Sequence, residues 1–339
     1  MHRPLRLTVD RSALQSNWRW LANRAGVACG AAIKADGYGL GASETMQALH
    51  DMGCRDFFVA SWAEAAELSA APATLVVLHG VGPDDVESAR ILDARPVLNT
   101  PDQVQRWKQI APGKPCDVMI DTGMNRLGLR VEDVACLEGL AIGTLMSHLA
   151  CADEDHALNA TQLRRFRDIA ASVSAKRYSL ANSAGICLGR DYAFDLVRPG
   201  LALYGGVLRP EAEGHILPVA VVEAQVVQRR TVRAGETVGY GATFVATADM
   251  QTAIVNIGYA DGYLRGFSGR GRAFAGDIAL KLIGRVSMDL IAFDCGAADV
   301  AEGDWVKLDY DLPRASAQSG LSQYELLTGL GHRFERIWR

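Results

Sequence analysis

Closely spaced cysteines are missing from this sequence. Its seven (Cys29, Cys54, Cys116, Cys136, Cys151, Cys187, Cys295) never fall within four residues of one another. That excludes C-x-x-C redox centres and zinc-ribbon spacing, and no metal site is expected. An odd number of scattered thiols suits small buried hydrophobes in a reducing, cytoplasmic compartment. Long apolar runs are lacking as well: nothing approaches the roughly 18 consecutive apolar residues of a membrane span. The opening MHRPLRLTVDRSAL has no continuous apolar core, so a secretory signal is not expected. An excess of charge of one sign is lacking too, with 35 Lys+Arg against 39 Asp+Glu. The net charge is −4 and like charges form no blocks, which argues against nucleic acid or a membrane surface as partner.

What is present is an ordinary globular composition, 49% hydrophobic and 22% charged, spread over 339 residues. That length predicts two domains, or one barrel with an appendage. The first two-thirds alternates between short apolar runs and stretches of helical period. The strand candidates are 26–34, 56–61, 74–80, 95–99, 116–122, 141–150, 177–183 and 201–206. Helices are predicted over 11–24, 62–71 and 160–175. About eight βα repeats with near-continuously apolar strands fit an α/β fold with a closed, TIM-like (β/α)₈ barrel, although pattern alone also allows an open sheet. After 209-RPEAEGHILP-218 the texture becomes mostly β, with strand candidates at 219–227, 252–259, 278–286, 289–295 and 304–310 and one helix near 323–330. Two domains are therefore expected, a barrel over 1–216 and a β domain over 217–339.

In a parallel barrel the C-terminal ends of the strands share one mouth, and several polar residues fall there. Lys34 ends an apolar run. Partial desolvation at such a place lowers a lysine's proton affinity and suits it to Schiff-base chemistry, whereas the plainer reading is a solvated lysine at a strand–loop junction. Arg126, within 121-DTGMNRLG-128, follows a strand, as a surface arginine in a turn also would. His148 lies near another strand end, where a structural histidine is the commoner case. The segments 181-ANSAG-185, containing Asn182 and Ser183, and 198-RPGLALYG-205 offer small residues and backbone N–H groups that could cradle a phosphate. Their place in the last βα loops is where barrels favour such sites. In the β domain, 238-VGYGATF-244 sets Tyr240 between two glycines, exposed on a tight backbone; an edge-strand aromatic beside a turn would look the same.

Nine segments in order resemble the alanine racemase family from about residue 5 to 338. They are AAIKADGYGLG (31–41), DTGMNRLG, MSHLACADE (146–154), LANSAG (180–185), VRPGLALYG (197–205), VGYGATF, NIGYADGY (256–263), GRVSMD (284–289) and YELLTGLG (324–331). The resemblance implies a pyridoxal-5′-phosphate-dependent racemase acting on alanine. It also implies a head-to-tail homodimer in which each site borrows from the partner's β domain. By the same resemblance Lys34 holds the cofactor covalently and Tyr38 binds its phosphate. Ser183 with its neighbour Asn182, the backbone at Gly200 and Leu201, and Tyr324 complete the phosphate cradle. Arg198 faces the pyridine nitrogen, and Arg126 contacts the cofactor's phenolic oxygen and the substrate carboxylate. His148 lies between Arg198 and Tyr240, while Tyr240, Tyr259 and Met288 arrive from the other subunit.

Racemisation removes the Cα proton on one face and returns one on the other, so two opposed bases are needed. By resemblance Lys34 serves the D-isomer and Tyr240 the L-isomer. A tyrosine ionises near pH 10 in water, and a chain Arg198–His148–Tyr240 would help it reach phenolate. An arginine cannot accept a proton from the pyridine nitrogen as a carboxylate partner would share one. The ring is then a weaker electron sink, which is expected to restrain side reactions such as transamination.

Departures from the family pattern leave three questions. Met119 stands where many members have a lysine that orients the arginine. Asp153, Tyr259, Arg265, Arg285 and Tyr324 match the family's substrate corridor, but Ser179 and Ser322 stand where larger residues are common, so a roomier entrance is expected. Racemases of serine, lysine or broad specificity therefore stay open, as does the choice between cell-wall supply and alanine catabolism. A decarboxylase would set a carboxylate in place of Arg198, and a non-catalytic cofactor-binding barrel would lack the β domain that carries Tyr240.

Overall fold

The structure, a computed structural model, describes residues 2–68 and 73–339. It divides into two compact units, one holding Leu14–Leu217 and the other the N-terminal stretch through Ala13 together with Pro218–Arg339.

In the first unit seven parallel strands lie in chain order: Ala31–Ala32, Asp56–Val59, Thr74–Val77, Ala94–Leu98, Cys116–Met119, Ile142–Met146 and Arg177–Ser179. An eighth, Leu196–Val197, closes the ring. It pairs in parallel with Ala28–Cys29. Arg198 N–H donates to Ala181 O (2.9 Å) and Asp195 N–H to Tyr178 O (3.0 Å), which joins it to the seventh strand. The α/β, TIM-like barrel is thus as expected. Strands such as Asp56–Val59, Cys116–Met119 and Ile142–Met146 are buried at every position, because a parallel sheet is covered on both faces and selects continuous apolar runs over alternation.

One strand expectation fails. Residues 201–206 do not form the eighth strand; Leu201–Tyr204 is a 3₁₀ turn ending on left-handed Gly205 (φ 96°). The apolar run of residues 201–204 is buried there too, so apolarity alone could not separate a core turn from a core strand. The helices form at Arg11–Ala25, Trp62–Glu67 and Ala157–Ser172; the end of the helix predicted over 62–71, at 69–71, lies outside the described residues.

The second unit is an eight-stranded sheet whose strand Ala220–Val232 is long enough to pair on several sides. It joins Leu5–Val9, Trp305–Leu308 and Met250–Val255, all antiparallel. Leu5–Val9 also pairs in parallel with Glu335–Trp338. The N-terminal strand therefore groups with the β unit by its ladder, although sequence order put it with the barrel. The strand Arg272–Ala275 and the helix Leu312–Ser319 add elements beyond those expected from the sequence. Among the described residues no helix is long and apolar enough to cross a membrane.

Candidate active site

Lys34 stands just past the Ala31–Ala32 strand and is half-buried. Burial lowers its proton affinity, the Arg126 guanidinium pushes the same way, and the Glu64 carboxylate opposes both. The backbone beyond it is unusual. Ala35, Asp36, Gly37 and Tyr38 all have left-handed φ (54°, 51°, 61° and 56°), and only one of the four is glycine. Left-handed turns cost L-residues roughly 1–2 kcal/mol each, so local bonds must hold this one. Gly37 N–H donates to Ile33 O (2.8 Å), Gly39 N–H to Ala35 O (2.9 Å) and Gly41 N–H to Asp36 O (2.9 Å). The Asp36 carboxylate accepts from Ala42 N–H at 2.9 Å. The strain returns the chain sharply at the strand end, leaving Lys34 at the mouth and carrying Tyr38 inward.

Tyr38 is buried and stacked on Tyr204, ring centroids 4.7 Å apart. Tyr204 is fixed in turn by its hydroxyl, which donates to Ala32 O at 2.9 Å. The Tyr38 hydroxyl lies so close to Gly200 that a Cβ there would sit 2.1 Å from it, so any larger residue would push the phenol out of place. Ser183 Oγ accepts from Gly200 N–H (2.9 Å) and Ala202 N–H (3.2 Å). Tyr38, Ser183, Gly200 and Leu201 thus meet in one cradle of hydroxyls and close backbone, a fit for a phosphate group. Asn182 is nearby, with its Oδ1 accepting from Gly185 N–H at 2.9 Å as a helix N-cap.

Arg198 is buried, and its guanidinium donates to Ser179 Oγ and, at 2.6 Å, to Ser147 O. It lies 6.0 Å from the Phe58 ring centroid. Burial pulls its proton affinity down, to about 10, which leaves it a cation at neutral pH. These bonds overturn the reading of Ser179 as part of a wide entrance. Its side chain is 0% exposed and donates to Leu196 O, so it is an anchor for Arg198. Ser322, in the other unit, caps the helix Gln323–Thr328 in a reciprocal box with Glu325.

His148 is half-buried, and its proton affinity is held down to about 3. Burial is the main cause, with the charges of Arg198, Arg126 and Lys34 adding to it. Those couplings bring the four residues into one electrostatic neighbourhood, and they make His148 a neutral imidazole at working pH. Arg126 is exposed on a loop that is itself well tied. Asp121 Oδ1 accepts from Gly123, Met124 and Asn125 N–H at 2.8, 2.9 and 3.1 Å. Asp121 N–H donates to Leu129 O and Leu129 N–H to Met119 O, each at 2.9 Å. Met119 is buried beneath. With methionine at that position, backbone geometry holds the arginine's loop.

In the β unit Tyr240 is 69% exposed, set between Gly239 and Gly241 with φ of 76° and 72°. A Cβ on Gly241 would lie 3.2 Å from the Arg285 guanidinium. Tyr240 and Arg285 line a cleft of about 850 Å³ together with Ser287 and Leu290. The segments carrying Tyr259 and Met288 are zipped together: Tyr259 N–H donates to Ser287 O (3.0 Å) and Ala260 N–H to Met288 O (3.1 Å). Arg265 lies over the Tyr259 ring at 5.4 Å, and Met288 is 52% exposed. Tyr324 is the second residue of its helix. Sequence reasoning missed the supports of these groups: Ser147 and Tyr204 in the barrel, and Arg333 with Asp261 (2.5 and 2.7 Å) in the β unit. Their contacts join distant segments that no local motif links.

A closed barrel with a half-buried strand-end lysine, a cradle of hydroxyls and close backbone and a buried arginine, in a chain that also carries a β unit, defines a two-unit barrel enzyme that works with a phosphorylated cofactor. Residues 9–207 match the alanine racemase N-terminal domain and residues 219–338 the alanine racemase C-terminal domain. The chain belongs to the alanine racemase family. It is 41% identical to the alanine racemase of Methylobacterium nodulans, with 98% of this chain and 95% of that protein covered. Identity to a catabolic alanine racemase of Agrobacterium fabrum is 40%, covering 98% and 91%. The crystal structure of alanine racemase from Bartonella henselae with covalently bound pyridoxal phosphate matches with a TM-score of 0.93 at 35% identity over the whole of both chains. The biosynthetic alanine racemase from Pseudomonas aeruginosa gives 0.90 at 32%, again over both whole chains.

Proposed function

We propose that the chain interconverts L- and D-alanine as a homodimer, with pyridoxal 5′-phosphate held at Lys34. Lys34 serves one face of Cα and Tyr240 of the partner subunit the other. The observation that carries this reading is Lys34 itself, a strand-end amine whose proton affinity is lowered by burial and by Arg126. Such an amine has a larger neutral fraction near pH 7, as both nucleophile and base require. Bound there, the cofactor draws electrons from Cα and makes its proton removable. Tyr38, Ser183 and the backbone at Gly200 and Leu201 hold the phosphate. Arg126, exposed in its side chain but fixed in its loop, takes the substrate carboxylate together with the partner's Met288 N–H and the partner's Tyr259. Neutral His148 relays the Arg198 charge to the phenol without carrying a charge of its own. A reducing, cytoplasmic setting fits the seven free thiols.

Incubation of cofactor-loaded protein with each L-amino acid in D₂O, followed by chiral and mass analysis, tests this directly. Inversion with Cα deuterium, fastest for alanine, is expected. Faster inversion of another amino acid would overturn the substrate, and absence of turnover would overturn the activity.

Arg198 sets reaction fidelity in this reading, since its donors leave the ring nitrogen without a proton. Arg198→Glu is expected to lower racemisation and to raise, by roughly tenfold or more, the fraction of turnovers that end in the keto acid and the aminated cofactor. An unchanged product ratio would refute that role.

A further inference from the structure

Glu64 belongs to no site motif, yet its carboxylate does something a helix-capping residue ordinarily does not. Ser61-x-x-Glu64 has the pattern of a capping box, in which the glutamate turns back to its own N-cap N–H. Ser322-x-x-Glu325 in the same chain is the ordinary form, with Ser322 N–H donating to Glu325 Oε2 at 2.9 Å. Ser61 does cap Glu64 N–H. The Glu64 carboxylate goes elsewhere. Oε2 accepts from Ala60 N–H at 2.7 Å, at the end of the Asp56–Val59 strand, and Oε1 accepts from Ala35 N–H at 2.9 Å. Ala35 directly follows Lys34 and is the first residue of the left-handed turn.

We infer that Glu64 is a positioning residue for Lys34: it ties the peptide after the lysine to the neighbouring strand end and supplies the negative charge at the amine. Both N–H groups lie at the C-terminal mouth, where backbone donors would otherwise face each other across two strand ends. One carboxylate satisfies both with charge-assisted bonds, which are the stronger kind. The clamp also explains how the turn begins, because Ala35 must leave the strand direction at once in a conformation unfavourable for alanine. Its charge opposes burial and Arg126 at the lysine and so limits how far the amine's proton affinity falls. The inference rests on Lys34 being the cofactor lysine.

The test uses the full chain, freed of cofactor and then exposed to pyridoxal phosphate across a pH series. Borohydride trapping and peptide mapping report which lysine has reacted. Glu64→Gln is expected to move the pH midpoint of trapping at Lys34 down by about one unit. It is also expected to speed cofactor loss on dialysis by roughly tenfold or more, since a neutral amide accepts from only one of the two N–H groups. Glu64→Asp keeps the charge, so its midpoint should stay at the wild-type value while its shorter reach still speeds cofactor loss. A Glu64→Gln midpoint equal to wild type, or an aspartate variant that retains cofactor like wild type, overturns the clamp. Trapping of the unaltered chain at some lysine other than Lys34 overturns the assignment of Lys34 instead, so the two failures are distinguishable.

Discussion

Replacing Tyr240 with phenylalanine is expected to slow racemisation about 10²–10⁴-fold in both directions, the usual worth of a positioned acid–base group. The ring's shape is kept and only the hydroxyl is removed, so the 69%-exposed side chain on its glycine-flanked turn should not disturb folding. The two enantiomers should then behave differently in D₂O. D-Alanine should still exchange its Cα proton, because Lys34 serves that face, but without inversion. L-Alanine should neither exchange nor invert. Wild-type racemisation by Tyr240→Phe would remove Tyr240 from the chemistry. Mixing this variant with Lys34→Ala tests the shared site. If each site draws its tyrosine from the partner, a mixed dimer carries one doubly broken site and one intact site. Random reassembly of equal amounts then restores about a quarter of wild-type activity. No restoration would place both bases on one chain.

The sequence showed the barrel because buried parallel strands leave continuous apolar runs, and it offered Lys34, Arg126, His148, Arg198 and Tyr240 as candidates because each lies inside a contiguous motif. Its errors share a physical cause, namely contacts between segments far apart in the chain. Leu201–Tyr204 looked like a strand because the core accepts any buried apolar run; only the bonds of residues 195–198 on both sides decide which segment closes the ring. Ser179 looked like lost bulk, whereas its hydroxyl answers Arg198, 19 residues away. Leu5–Val9 precedes the barrel in sequence but pairs with Ala220–Val232. Glu64 carries a visible local signal, the S-x-x-E pattern, yet nothing local tells that its carboxylate reaches Ala35. Met119 was legible as a departure, while the Asp121 bonds that tie the loop in its place are set by the loop's backbone path and carry no local sequence signal.

The far end of the barrel should fail differently from the site. Asp56, Arg95, Asp117 and Arg177 come from the first or second positions of their strands, at the N-terminal face where barrels invest in stability. Arg177 grips Asp56 at 2.6 and 2.9 Å. Arg95 spans Asp117 at 3.0 Å and Asp56 at 3.5 Å. Arg177 is partly exposed and Asp56 keeps Arg95 beside it, so loss of the Arg177 bonds costs about 1–3 kcal/mol rather than the full penalty of a stranded buried charge. Arg177→Met is therefore expected to lower stability by about that much in denaturant titration while leaving racemisation at low temperature near wild type, the reverse of Tyr240→Phe. Asp117 behaves otherwise. Burial outweighs Arg95 and raises its carboxyl to about 6, above the roughly 3.9 of an unfolded aspartate. Between those values the folded chain binds the extra proton, so this group's contribution to stability declines as pH rises from about 4 to about 6 and is flat above. Asp117→Asn should abolish that decline and cost less at pH 7 than Arg177→Met. A variant that keeps the wild-type slope would show that the pH dependence arises elsewhere. An Arg177→Met variant as stable as wild type would show that the four charges only fill space.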